Sequence, residues 1–230
     1  MHTSSFLRMA WFVSQYLGDQ SKKRSVLDCG SCDVNGSYRP LFPAEHYSYQ
    51  GLDLAPGPNV DIVCKNPYCW DSLADSSYDV IISGQAFEHI EFFWLTFSEI
   101  VRVLRPEGFI CIIAPRFWSR HRYPVDCYRF DEDGMLALAR YGKLEPLHVS
   151  MNMKPPEAPA SWYDRGGDAL LVARKPKDWK SLINPQEYVF EEADINFLHT
   201  GFVTQGKWAA RLSRVRSWLK LPAKRPGLPK

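Results

Sequence analysis

Residues 26–36, Val26-Leu27-Asp28-Cys29-Gly30-Ser31-Cys32-Asp33-Val34-Asn35-Gly36, constrain this chain more than any other stretch. They begin as a short buried strand, break at Gly30 and continue in small or helix-capping residues (Ser31, Asp33, Asn35). Such a turn brings backbone N–H groups close to a ligand's polar end with no side chain in the way. About twenty residues later, Tyr49-Gln50-Gly51-Leu52-Asp53-Leu54 ends a second strand on an acid. A glycine turn paired with a later acid is how a doubly wound sheet holds a nucleoside, the acid accepting from ribose hydroxyls.

Around this turn the chain alternates strands and helices. Phe6, Met9, Ala10, Val13, Tyr16 and Leu17 recur at helical spacing, and the helix they predict over residues 4–17 is expected to pack on the first strand, residues 25–29. A short helix broken by Pro40 and Pro43 comes next. Strands are then expected over 47–54, 60–64 and 78–83, the last a continuous apolar run suited to burial on both faces. Residues 89–104 read as the clearest helix, with Phe92, Phe93, Leu95, Ile100, Val101 and Leu104 inward and Arg105-Pro106-Glu107-Gly108 as its stop. A strand over 109–114, a helix capped by Asp131 and strands over 144–151 and 169–174 complete the pattern. The fold class is α/β: a Rossmann-like, doubly wound, mostly parallel seven-stranded sheet with helices on both faces. Residues 1–24 are expected to be an N-terminal helix packing on the core and residues 25–175 the main domain. Residues 176–230 are expected to be a C-terminal extension with a basic, partly disordered tail, including an amphipathic basic helix over 211–219.

Composition narrows the function classes. At 230 residues, 45% hydrophobic and 23% charged, the chain resembles an ordinary soluble domain. No apolar run approaches the roughly 18–20 residues that span a bilayer. The apolar N-terminus is interrupted by Arg8 without a small-residue cleavage site, so it reads as a helix, and a reduced, cytoplasmic setting is expected. Cys29-x-x-Cys32 with Cys64 and Cys69 could ligate zinc, but core packing plus a turn residue explains them without metal, and no metal site is expected. Net charge is +2, yet the eight basic residues from Lys207 onward face no acids, which leaves −6 on the first 206 residues. An acidic body argues against nucleic-acid binding. The tail is either solvated or a peripheral contact for an anionic membrane.

With the strands placed, residues 25–174 resemble a class I S-adenosylmethionine-dependent methyltransferase of the small-molecule type. The likeness rests on Val26-Leu27-Asp28-Cys29-Gly30-Ser31, on Gly51-Leu52-Asp53, on Tyr78-Asp79-Val80-Ile81-Ile82-Ser83 with Glu88-His89, and on Arg102-Val103-Leu104-Arg105-Pro106-Glu107-Gly108. The family's usual second glycine is replaced by Cys32. The resemblance implies S-adenosyl-L-methionine as cofactor and residues 25–175 as the domain that binds it. Asp28 would orient the turn, Gly30 and Ser31 would offer backbone to the methionine moiety with Cys32 beside them, and Asp53 would take the ribose hydroxyls. Leu54 would pack on the adenine, Asn66 would reach its edge, and Ser83, Gly84 and Gln85 would close over the methionine end. Plainer roles exist: Asp28 as a turn cap, Asp53 as a solvated strand end, Asn66 as a cap before Pro67.

Methyl transfer to a hydroxyl benefits from a general base, and the candidates are His121, in the polar and aromatic loop 115–130, and His89. Tyr123, Asp126, Tyr128 and Arg129 of that loop are the expected acceptor-binding residues; the plainer reading is a hydrogen-bonded loop covering the sheet edge. The string His121-Arg122-Tyr123-Pro124-Val125-Asp126-Cys127-Tyr128-Arg129-Phe130 also resembles methyltransferase-like proteins of bacterial surface-polysaccharide assembly, which implies a small polar, sugar or glycolipid acceptor. Two other classes share the glycine turn: a catalytically inactive adenosyl-ligand-binding protein and a nicotinamide-dependent oxidoreductase. The second is disfavoured because Gly30-x-Cys32 lacks the third-glycine spacing of a dinucleotide fingerprint.

Overall fold

The computed structural model of the protein describes residues 3–19, 21–151, 167–184 and 186. The basic tail and the helix expected over 211–219 lie outside the described residues. In chain order the elements are α1 (Thr3–Tyr16), β1 (Arg24–Cys29), β2 (Tyr47–Asp53), β3 (Ile62–Val63), β4 (Tyr78–Gly84), α2 (Phe93–Val103), β5 (Leu104–Phe117), α3 (Glu132–Tyr141), β6 (Glu145–Met151) and β7 (Gly167–Arg174).

The strands form one seven-stranded sheet in the order β3-β2-β1-β4-β5-β7-β6. Neighbours from β3 to β5 run parallel, whereas β7 is antiparallel to β5 and β6 to β7. The order reverses between β1 and β4, and in an open α/β sheet a reversal leaves a crevice beyond the carboxyl ends of the strands that flank it.

Strict alternation along the central strands divides the core into two layers. Ile81, Ile110, Ile112, Leu171 and Ala173 face α2 and α3, packing with Phe97, Ile100, Val101, Met135 and Leu138. Val80, Ile82, Cys111, Ile113, Leu170 and Val172 face the other way, against Met9 and Phe12 of α1. A period of two places successive side chains on opposite faces, and burying each large one contributes about 1.5–3 kcal/mol. Cys29, Cys64 and Cys111 are buried in these layers, and all six cysteines are free thiols.

Four sequence expectations are corrected. Helix α1 lies chiefly over β5 and β7 rather than on β1. The short helix near Pro40 is a single 3-10 turn, Arg39–Leu41. Strand β3 is two residues long, because the turn in which the Val60 N–H donates to Gly57 O occupies the preceding backbone. Helix α2 starts at Phe93, preceded by a 3-10 turn at Phe87–His89, and Phe92 and Leu95 are exposed. The reason is competition: Glu88 O accepts the N–H groups of Cys127 and Tyr128, and Glu91 O accepts the Tyr128 hydroxyl. Those carbonyls are withdrawn from a helix.

At the far end of α2, the buried Lys175 Nζ donates to Val101 O and Leu104 O, both at 2.7 Å, and lies 4.1 Å from the centre of the Trp179 ring. It satisfies carbonyls that the helix end leaves open, and burial pushes its pKa down. Replacing Lys175 by Met should cost roughly 2–4 kcal/mol in urea denaturation, since two buried acceptors lose their donor. An unchanged midpoint would assign those carbonyls another partner.

Candidate active site

The turn after β1 is fixed from three sides. Gly30 has φ 77°, and a Cβ there would stand 2.4 Å from the Ala86 Cβ. The N–H groups of Gly30 and Ser31 both donate to Leu52 O, at 2.9 and 3.2 Å. Their donors are thus spent on β2, and what the turn offers a ligand is its lack of side chain. Ser83, buried behind it, donates from Oγ to Cys29 O at 2.8 Å.

Asp28 and Asp53 sit at the same strand ends in contrasting environments. Asp28 is buried, and its carboxylate accepts the Tyr49 hydroxyl. Burial pushes its pKa up to about 7; the Tyr49 bond opposes the rise and the Asp53 charge adds to it. Asn59 holds the surrounding turn, donating from Nδ2 to Ser31 O at 2.9 Å and accepting from Arg39 Nε at 2.6 Å. Asp53 is half-buried. Its oxygens accept the Cys32 N–H at 2.9 Å and the Leu54 N–H at 2.7 Å, which aims the carboxylate and leaves lone pairs toward the crevice.

These residues open onto a cavity of about 840 Å³. Its other end is built from the 3-10 turn at Phe87–His89 and the loop after β5. The His89 and His121 rings meet edge to face, with centroids 5.0 Å apart. His89 Nδ1 lies 2.5 Å from Val125 O and His121 Nδ1 3.1 Å from Ser119 O, so each Nδ1 carries the proton and each Nε2 keeps a lone pair. Burial pushes the His89 pKa down. Glu88 Oε1 lies 3.6 Å from His89 Nε2 and 3.9 Å from His121 Nε2. Glu88 is 0% exposed, neither carboxylate oxygen has a hydrogen-bond partner among the described residues, and burial raises its pKa to about 8.

Of the residues singled out from sequence, Asp28, Gly30, Ser31, Cys32, Asp53, Leu54, Gly84, Gln85, His89, His121 and Tyr123 line this cavity. Gln85 is steadied by its Nε2 donating to Asp168 at 3.0 Å. The others stand outside the wall. Asn66 Oδ1 accepts the Tyr68 N–H at 2.9 Å, a turn cap. Asp126 accepts the His121 N–H at 2.7 Å and is paired with Arg129, whose hydrogen bonds hold it well below the usual carboxylate range. With Tyr128 bonded to Glu91 O, these three residues shape the loop. Sequence reasoning missed Tyr38, whose hydroxyl packs on Gly84, and Tyr49, Glu88 and Trp70. Trp70 lines the cavity with a buried Nε1–H that has no partner among the described residues. The aromatic pair Tyr68 and Trp70 after β3 was the available signal.

The family model described as "Methyltransferase domain" matches residues 27–112, from β1 into β5. No curated protein matches the chain. Among solved structures, the Burkholderia thailandensis 1,6-didemethyltoxoflavin-N1-methyltransferase, bound to 1,6-didemethyltoxoflavin and S-adenosylhomocysteine, is 17% identical, with a TM-score of 0.57 over 75% of this chain and 79% of its own. The cyclase SpnF is 16% identical, with a TM-score of 0.56 over 74% of this chain and 81% of its own. Haemonchus contortus phosphoethanolamine N-methyltransferase 2, in complex with S-adenosyl-L-methionine, is 14% identical, with a TM-score of 0.53 over 74% of this chain and 52% of its own. Residues 27–112 thus match a methyltransferase domain, and the sheet shares its fold with methyltransferases solved with S-adenosylmethionine or its homocysteine product. A cyclase among the structural likenesses shows why the reaction's details must come from the residues and not from the fold.

Two outcomes follow. Asp53→Ala should weaken S-adenosylhomocysteine binding by at least about tenfold in calorimetry while the circular dichroism spectrum is kept, since a charged acceptor of two hydroxyls is worth roughly 1.5–3 kcal/mol; an unchanged Kd would remove Asp53 from the site. Because the folded-state pKa of Asp28 is raised, the protein binds its proton more tightly folded than unfolded. That contribution is present below about pH 4 and is lost as pH rises through about 7. The melting temperature of the ligand-free protein should therefore fall between pH 5 and pH 8 relative to Asp28→Asn, whereas parallel profiles would show that Asp28 is not perturbed.

Proposed function

We propose that the chain transfers a methyl group to a hydroxyl of a small polar acceptor, a sugar or glycolipid. The carrying observation is one cavity with the glycine turn and Asp53 at one end and the paired imidazoles of His89 and His121 at the other. Asp53 would hold the ribose, Leu54 would flank the adenine and the unpartnered Trp70 Nε1–H would meet the base edge. Gly30, which lets the turn pass against Ala86 where a Cβ would collide, would border the methionine end. S-adenosylmethionine, when bound, supplies a methyl group on a sulfonium. The protein's part is alignment, which can be worth about 7–11 kcal/mol, and a place for the hydroxyl proton at the His89 and His121 cluster.

Trp118, Arg122 and Tyr123 line the acceptor end. Aromatic faces beside a guanidinium suit a hydroxylated ligand bearing a phosphate or carboxylate. No helix among the described residues is long and apolar enough to cross a membrane. The eight basic residues from Lys207 onward would suit a peripheral contact with an anionic surface and a lipid-linked acceptor.

With isotopically labelled methyl donor and a panel of glycans, the wild-type protein should label a hydroxylated acceptor. His121→Ala should lower kcat by about 10²–10⁴-fold with the S-adenosylhomocysteine Kd within about threefold of wild type. Equal turnover in the variant would leave the loop a structural role only.

A further inference from the structure

We propose that Glu88, His89 and His121 form a binding site for one first-row divalent cation, such as Mn2+, Co2+ or Zn2+, at the acceptor end of the cavity. One donor atom from each residue lies within 4.8 Å of the other two. Glu88 is the decisive member. A carboxylate that is 0% exposed with two oxygens lacking hydrogen-bond partners is costly unless something meets it. Arg129 does not meet it, being held by both oxygens of Asp126.

The two imidazoles are set up as ligands. Each donates Nδ1–H to a backbone carbonyl, Val125 for His89 and Ser119 for His121, which is the outer-shell bond that fixes a ligating tautomer. Both Nε2 atoms then lie beside Glu88 Oε1, at 3.6 and 3.9 Å, beyond direct hydrogen-bond reach. An ion bound at about 2.0–2.2 Å holds its donors about 3–3.5 Å apart. The gap is a few tenths of an ångström at each of these contacts, and His121, one-third exposed on a loop, can close it.

Three protein donors leave the ion's remaining positions open, and both histidines line the cavity. Two imidazoles and one carboxylate favour first-row ions over Mg2+ or Ca2+, which prefer all-oxygen sets. The role assigned to the ion rests on the methyl-transfer reading above: it lowers the pKa of an acceptor hydroxyl, a task otherwise left to direct transfer onto imidazole. The hydroxyl proton passes to solvent and its oxygen bonds the methyl carbon. The pair from the broken carbon–sulfur bond stays on sulfur.

The test is titration of the metal-stripped full chain with Co2+, read by visible absorption, with S-adenosylhomocysteine binding measured in parallel. Wild type should give a one-to-one d–d spectrum that is lost in both Glu88→Gln and His121→Ala, the second variant guarding against misfolding of the first. S-adenosylhomocysteine affinity should stay within about threefold in each. A spectrum that never forms, or one that persists in the variants and so belongs to the cysteines or the tail, would overturn the site. Failure of wild-type S-adenosylhomocysteine binding would instead strike the methyl-transfer reading.

Discussion

The structure depends on how three strand ends meet at Gly30. Leu52 O of β2 takes two N–H groups from the turn after β1, and Ser83 of β4 reaches back to Cys29 O. Ala86 leaves no room for a Cβ on Gly30. Buried backbone groups must be paired, so a chain leaving a central strand has to find partners at once. Here it finds them on the neighbouring strands, and pairing them turns the chain away from the sheet and opens the crevice. The aim of the Asp53 carboxylate, through Cys32 and Leu54, follows from that same turn.

The two ends of the cavity are built by different means. The glycine-turn end is strand-end backbone, set by the register of a parallel sheet. The other end is a loop sewn to a 3-10 turn: Glu88 O holds Cys127 and Tyr128, His89 holds Val125, and Phe130 N–H returns to Pro115 O. Glu88 therefore works twice, its carbonyl ordering the loop and its buried side chain lying between two imidazoles that the loop and turn bring together.

What was legible in the sequence was whatever depends on local period. The continuous apolar run over 78–83 and the apolar stretch over 109–114 gave the central strands, and the Gly30 break gave the site. What was hidden depends on contacts between distant segments. Glu88 stands just before the helix expected over 89–104, and nothing local says that residues 125–128 will cover it. Phe92 and Leu95 fit a helical stripe on paper, but the loop takes the carbonyls that would have begun the helix. Asn66 and Trp70 sit in one stretch with similar claims on a ligand; the turn bond to Tyr68 claims the first, and burial without a partner marks the second.

On the reading proposed above, the carboxyl ends of β1 and β2 hold an adenosyl ligand. A crystal structure of the protein with S-adenosylhomocysteine tests it most directly. Electron density for the ribose hydroxyls should lie within hydrogen-bond distance of Asp53, with the amino-acid end beside Gly30. A crevice that stays empty at saturating ligand, or density placed elsewhere on the chain, would contradict it.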